Sequence, residues 1–327
     1  MATEVPPSQQ PAAVGLESPF GKARSMVFPR TVLAGHGVLS ELGNVCRQFD
    51  FPSKGAIVTG PKTLGLAGDR AAEILRSAHF DVSVLVAKEA THAEVERIAA
   101  EAQASGARFL IAVGGGSKID VTKVAAAMLH VPYVSVPTSA AHDGISSPRA
   151  SLHDQEGVAS VHAEVPTGIL ADTSVIVQAP FRLLASGCAD VISNVTAVLD
   201  WKLAARLRNE EYSSTAATLA EYAAQEITDH ASLIKPNLEE SVWIAIRPML
   251  VAGISMSVAG SSRPCSGSEH AHCSGTFDAI SGVVDWRFAP KWDLYAGLMF
   301  SQVNGGLANG YIQRNNIDPS AGLRFRF

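Results

Sequence analysis

Residues 109–123 read FLIAVGGGSKIDVTK. Phe109 to Val113 is a short, wholly apolar run of the kind that forms a strand buried on both faces. Gly114, Gly115, Gly116 and Ser117 turn the chain, and the pattern from Lys118 to Met128 is helical. A strand that ends in glycines and feeds straight into a helix is the basic unit of an α/β sheet. The glycines let the backbone come close to a phosphate, and the helix N-terminus offers free N–H groups and the positive end of a dipole. The stretch is neither a GxxxxGK[ST] loop nor a GxGxxG turn. Read alone, it is either a tight strand-to-helix turn or a cradle for the phosphates of a dinucleotide.

The sequence on either side repeats the alternation. Gly55–Thr59 (GAIVT), Val82–Val86 (VSVLV) and Tyr133–Val136 read as further apolar strands, with helical stretches at Ala67–Ala78 and Glu94–Ala104 between them. Apolar strands separated by helices imply a parallel sheet covered on both faces. Residues 147–171 differ: short alternating runs around Asp154-Gln155-Glu156-Gly157 suggest a β-hairpin. Beyond a boundary near Asp172–Pro180 the texture becomes helical, over Leu183–Leu207, Ser213–Thr228 and Leu238–Ala259. The expected fold class is therefore α/β: an N-terminal Rossmann-like parallel-sheet domain, then an all-helical domain, truncated and followed by a short β-strand tail. The expected limits are a disordered lead-in at 1–24, a dinucleotide-binding domain at 25–178, an incomplete helical metal and substrate domain at 179–272, and the tail at 273–327.

Composition narrows the function. A chain of 327 residues with 47% hydrophobic content can bury a sizeable core, and a net charge of -5 with no basic stripe argues against a nucleic-acid partner. Cys46, Cys188, Cys265 and Cys273 form no CxxC pair, so they read as reduced thiols of a cytoplasmic protein. The N-terminal MATEVPPSQQPAAV lacks the charged and apolar regions of a signal peptide. No stretch approaches the ~18 uninterrupted apolar residues of a membrane span.

Two other places carry chemistry. Pro137-Thr138-Ser139-Ala140-Ala141-His142-Asp143-Gly144 follows the fourth apolar strand, at the carboxyl edge where open α/β sheets bind ligands. Its small hydroxyl residues and carboxylate suit a hydroxylated substrate, though such residues are also common in turns. Asp190 lies in an otherwise apolar helical run, where a carboxylate needs a partner or a metal. His270 follows Ser266-Gly267-Ser268-Glu269. Carboxylate and imidazole suit zinc, but residues so far apart are better read, on chemistry alone, as a capped Asp and a surface His.

The stretches GGGSKIDVTK, VPYVSVPTSAAHDGISSPRAS, ADTSVI, APFRLLASGCADVISNVTAVLDWKLA and AGSSRPCSGSEH resemble, in order and spacing from about Ser25 to His270, the sn-glycerol-1-phosphate dehydrogenase family. That family is a branch of the superfamily of glycerol dehydrogenases, iron-type alcohol dehydrogenases and dehydroquinate synthase. HDGISSPRAS and SGSEH are the segments that point to this branch. The resemblance implies reversible reduction of dihydroxyacetone phosphate with NADH or NADPH and a zinc ion. It implies that Gly115, Gly116, Ser117, Lys118, Ile119 and Asp120 hold the dinucleotide diphosphate, and that Thr138, Ser139 and Ser147 meet the cofactor. Asp143 would contact a small phosphorylated polyol or ketone substrate, Asp190 would bind both substrate and zinc, and His270 would bind zinc. A zinc-dependent polyol dehydrogenase and a non-catalytic nucleotide-binding remnant are the alternatives.

Past His270 the resemblance stops. The family pattern places a substrate-contacting His where this chain has Ser274, and a third zinc-binding His farther on, whereas the last histidine here is His272. The segments FDAISGVVDWRFAPKWDLYAGLMFSQVNGG and NNIDPSAGLRFRF resemble instead the C-terminal end of a Gram-negative trimeric porin. Two or three strands cannot close a barrel, which needs at least about eight, and no export signal is evident. The expectation is a fused or frameshifted tail, no membrane partner, and self-association into a homo-oligomer left open through the tail's strand edges. Dehydrogenase activity is expected to be impaired.

Overall fold

The computed structural model describes residues 27–154, 157–208, 210–258, 275–289, 292–305 and 315–325. They fall in two compact units, Met1–Gly260 and Ser261–Phe327.

In the first unit the strands are β1 (Thr31–Gly35), β2 (Lys54–Thr59), β3 (Asp81–Val86), β4 (Leu110–Gly114), β5 (Tyr133–Pro137), β6 (Arg149–Asp154), β7 (Gly157–His162) and β8 (Gly168–Asp172). The helices are α1 (Leu42–Gln48), α2 (Pro61–Thr63), α3 (Asp69–Ser77), α4 (His92–Ala104), α5 (Gly116–Leu129), α6 (Thr173–Ile176), α7 (Phe181–Arg208), α8 (Ser214–His230) and α9 (Glu239–Val258). Six strands form one sheet in the order β1-β8-β5-β4-β2-β3, and every pairing in it is parallel. The strands read as continuous apolar runs because both faces are covered. Ala56, Val58, Leu110, Ala112 and Ile169 pack with α4, α5 and the helical region on one face. Ile57, Ile111, Val113, Val134, Val136 and Leu170 pack with α1 and α3 on the other.

The apolar runs at 55–59, 82–86, 109–113 and 133–136 are β2, β3, β4 and β5 to within a residue or two, and the expected hairpin is β6 paired antiparallel with β7. Two strands differ from the sequence reading. Gly168–Asp172, which lay inside the expected hairpin region, is a buried sheet strand, and Thr31–Gly35 pairs beside it. Both are five residues long, and β1 is only partly buried, so neither carries much periodic signal. Asp172 closes this edge: its carboxylate accepts from the N–H groups of Gly37, Leu39 and Ser174, each at 3.0 Å.

The long helices lie where the texture changed. α8 begins at Ser213, whose hydroxyl accepts the N–H of Ala216, a capping arrangement that satisfies an otherwise orphaned donor. α7, α8 and α9 pack on one another. Among the described residues one helix, α7, is long and apolar enough to cross a membrane. Its outer face carries Ile192, Val195, Leu199, Leu203 and Leu207, between 40% and 56% exposed.

The second unit is a three-stranded antiparallel sheet in the order β11-β10-β9, with β9 at Gly275–Ala289, β10 at Trp292–Gly305 and β11 at Asn315–Phe325. The expected strand segments at 283–288 and 292–300 lie within β9 and β10, and most of 321–327 lies within β11.

Candidate functional site

Strand order reverses around β2 and β4: from β2 the chain goes outward to β3, then crosses back to β4 and continues to β5 on the other side. A crevice forms beyond the carboxyl ends of strands at such a switch. Here those ends are Gly60 after β2 and Gly114 after β4. In a parallel sheet all carboxyl ends share one edge, so the loops after β4 and β5 are neighbours, and the Thr138 N–H donates to the Gly114 carbonyl at 3.0 Å.

α5 starts here. Its N-cap, Gly115, is extended (φ -75°, ψ 179°), and no side chain caps the first turn. The positive end of the helix dipole and its free N–H groups therefore face the crevice. A Cβ on Gly116 would lie 1.8 Å from His142 Nε2, and one on Gly115 would lie 3.1 Å from Ser139 Oγ. The glycines let the His142 ring and the Ser139 hydroxyl come close against the turn, and the uncapped N–H groups of the first turn fit a diphosphate.

The residues after β5 complete a cavity of about 390 Å³ lined by Ser117, Asp120, His142, Asp143, Ser147, Arg149, His153 and Asp190, among others. Asp143 opens a short helical turn, Asp143–Ile145, and its N–H donates to Asp190 Oδ2 at 2.9 Å. Asp190 comes from α7, so this bond ties the helical region to the sheet edge. Burial, reinforced by the negative charge of Asp190, pushes the Asp143 carboxyl up to about 6. His142 Nδ1 accepts the Gly144 N–H at 2.9 Å, which sets the imidazole against Gly116.

The expected residues divide by role. Gly115, Gly116, Ser117, Asp143, Ser147 and Asp190 come together at the cavity or its helix terminus. Thr138 and Ser139 are buried at the adjoining loop. Ile119 is fully buried in the core, so its side chain faces away from any ligand. Lys118 Nζ donates to the Lys88 carbonyl and to Ser117 Oγ, and burial lowers its pKa. Asp120 lines the cavity, yet both its oxygens have protein donors: Lys123 Nζ at 3.3 Å and the Ser151 N–H at 3.1 Å. Lys123 is wholly buried and also donates to the carbonyls of Gly144, at 2.9 Å, and Arg149. His270 lies outside the described residues, as do Cys265, His272 and Cys273.

Lys123, His142 and Arg149 lie within the motifs read from the sequence, but no role was assigned to them, nor to His153. A signal existed for Lys123, which follows Asp120 by three positions and so shares its helix face. None existed for the loop residues, whose convergence depends on the sheet edge.

The carboxylates of Asp143 and Asp190 repel one another in a half-buried place, an arrangement that a divalent cation would relieve. The donor chemistry at Asp190 thus fits zinc. Among the described residues no group of three His, Cys, Asp or Glu side chains could hold a metal by itself.

The sequence matches the family described as iron-containing alcohol dehydrogenase over residues 33–180. It is 47% identical over 251 residues to a Picrophilus torridus protein named glycerol-1-phosphate dehydrogenase (NAD(P)+), covering 77% of this chain and 71% of that one. It is also 47% identical over 247 residues to the protein of the same name from Methanothermobacter thermautotrophicus, covering 76% and 71%. In three dimensions it is similar to a glycerol dehydrogenase from Schizosaccharomyces pombe, with a TM-score of 0.63 at 22% identity over 73% of this chain. The chain spans 63% of the length of that structure.

Proposed function

The chain belongs to the glycerol-1-phosphate dehydrogenase family, and from that premise we propose that it interconverts dihydroxyacetone phosphate and sn-glycerol 1-phosphate with NAD or NADP. The observation that carries this reading is the convergence of the bare N-terminus of α5 with Asp143, Ser147 and Asp190 around one cavity. The backbone N–H groups at Gly116 and Ser117 bind the cofactor diphosphate, and Ser147 with Thr138 and Ser139 lines its path. The nicotinamide, when bound, supplies the hydride chemistry, and the protein fixes its orientation.

Asp143 and Asp190 receive the hydroxyl-bearing carbons of the substrate. Arg149 is the one Lys or Arg lining the cavity among the described residues. Its cationic fork suits a phosphate, and this favours the phosphorylated substrate over free glycerol. Zinc, held by Asp190 and His270, would supply Lewis-acid polarisation at the substrate C2 oxygen. Residues 273–327 hold no histidine to stand for the family's third zinc-binding His, so we propose weak zinc retention and slow turnover.

The division at 25–178 and 179–272 is likewise a proposal, as is a cytoplasmic location. α7 belongs to the helical region through its packing on α8 and α9.

The test is a substrate panel of dihydroxyacetone phosphate, dihydroxyacetone and glycerol with each nicotinamide cofactor, alongside NADH binding and zinc content by mass spectrometry. The reading expects NADH binding, measurable but slow turnover of dihydroxyacetone phosphate, and substoichiometric zinc. Preference for unphosphorylated glycerol would replace it with a polyol dehydrogenase. NADH binding without any turnover would leave a nucleotide-binding remnant.

A further inference from the structure

The loop that presents Asp143 and Ser147 has little regular structure beyond one short turn, yet its carbonyl groups meet a charge from beneath. Lys123, in the second turn of α5, is fully buried. Its ammonium has three donors, and each has an acceptor: Asp120 Oδ1, the Gly144 carbonyl and the Arg149 carbonyl. Gly144 is the residue after Asp143, and Arg149 is two residues past Ser147. The other oxygen of Asp120 accepts the N–H of Ser151. One ion pair on one helix therefore grips the loop at both ends and at the strand that follows.

A buried ion pair is poor value as a stability device, because desolvation offsets its attraction and apolar residues of the same volume often serve the fold as well. What this pair adds is direction. The first turn of α5 faces the cavity with bare N–H groups, and the next turn fixes the loop that carries the substrate-facing carboxylate.

We propose that Lys123, with Asp120, is a positioning residue that holds the 143–151 loop in register with the nucleotide-binding end of α5, so that Asp143 and Ser147 stand at a set distance from the cofactor. The role in holding the loop stands on the geometry above, whereas its bearing on dihydroxyacetone phosphate rests on the dehydrogenase reading.

The experiment compares wild type, Lys123→Met, the paired Asp120→Asn/Lys123→Met, Lys123→Arg, and Val121→Ala. Val121 is a buried core residue of the same helix, and its truncation lowers stability without touching the clamp. Amide hydrogen exchange is followed over residues 144–151 and over β2 and β4. In the same proteins, dihydroxyacetone phosphate affinity is measured by calorimetry with oxidised NAD present, a pair that cannot react. The clamp predicts exchange over 144–151 faster by about tenfold or more in Lys123→Met and in the paired variant, with β2 and β4 unchanged. Dihydroxyacetone phosphate binding should weaken about tenfold, with partial recovery in Lys123→Arg, while Val121→Ala leaves both readouts near wild type. Should Lys123→Met fail to fold, the paired variant, which removes the charge of both partners, decides. Unchanged loop exchange in the paired variant, or an equal rise in Val121→Ala, overturns the proposal. A wild type that binds no dihydroxyacetone phosphate sinks the dehydrogenase reading, while the exchange measurement still decides the clamp.

Discussion

Gly253, in the last turns of α9, lies against the carbonyl of Asp143 so closely that a Cβ would stand 2.1 Å from that oxygen and 2.2 Å from Ser146 Oγ. The candidate substrate loop is thus packed from the helical side by bare backbone. Ser146 adds a bond from its hydroxyl to the Leu250 carbonyl at 3.0 Å. Gly253→Ala should destabilise the protein by about 1–3 kcal/mol, the usual cost of overpacking. Gly65→Ala, where a Cβ would meet nothing within 4 Å, should be neutral or slightly stabilising. Urea unfolding of the two variants checks the contrast, and equal stabilities would refute it.

Gly116→Ala would drive a methyl into the imidazole of His142. The ring must move, and with it the wall that His142 forms beside the head of α5. NADH affinity should fall by about tenfold or more, roughly 1.4 kcal/mol, with little change in the far-ultraviolet circular dichroism. Fluorescence titration with NADH measures this, and wild-type affinity would remove α5 from the cofactor site.

Asp172 links the end of β8 to the start of the 38–41 turn. Burial acts to raise its pKa, but hydrogen bonds from the Ser174 hydroxyl and from the N–H groups of Leu39, Gly37 and Ser174 outweigh it, and the net pKa is lowered. The folded state therefore favours the carboxylate. Its contribution is complete above the unfolded-chain value of ~3.9 and is lost as the pH falls through the lower folded value. Asp172→Asn should cost about 2 kcal/mol at pH 7 and should flatten the fall in melting temperature below about pH 4 relative to wild type. Parallel wild-type and mutant acid melts would contradict the assignment.

Burial raises the Cys46 thiol to about 12 and the Cys188 thiol to about 11. Only thiolates alkylate readily. Both residues should resist iodoacetamide at pH 8 in the native protein and react after denaturation. Mass spectrometry of the tryptic peptides reads this out, and native labelling at either position would show that its surroundings open.

How far the sequence carries depends on where the information is stored. The run Phe109–Val113 followed by three glycines announces both its strand and the helix after it, because a strand buried on two faces has no polar alternation and a helix cannot begin within a glycine turn. The helical stretch at Ser213–Thr228 was legible from its texture, and the structure adds the Ser213 cap that starts it. β8 was not, because Gly168–Asp172 acquires its meaning only when β1 and β5 lie on either side of it. Within the site, Gly115 and Gly116 could be read from local chemistry. Asp143 and Asp190 stood out locally, one as a carboxylate in a loop at the sheet edge and the other as a carboxylate in an apolar helix, but their roles came from family resemblance, and their adjacency is a product of the fold, made by α7 reaching the sheet edge. Asp120 shows the opposite limit. The resemblance implied a cofactor contact there, and the structure adds what the sequence did not reveal, that Asp120 lines the cavity with its two oxygens engaged by Lys123 and Ser151.

The sheet's outermost strand carries a lesson about synthesis. Thr31 pairs with Gly168, and the register runs to Gly35 with Asp172, so the first-made strand of the six-stranded sheet is complemented only by its last. Contacts so remote in sequence are slow to form, and an unmatched strand edge invites intermolecular pairing while it waits. Translational pausing before residue 172 should therefore lengthen the aggregation-prone interval, and chaperone dependence should track the time spent with that edge uncapped.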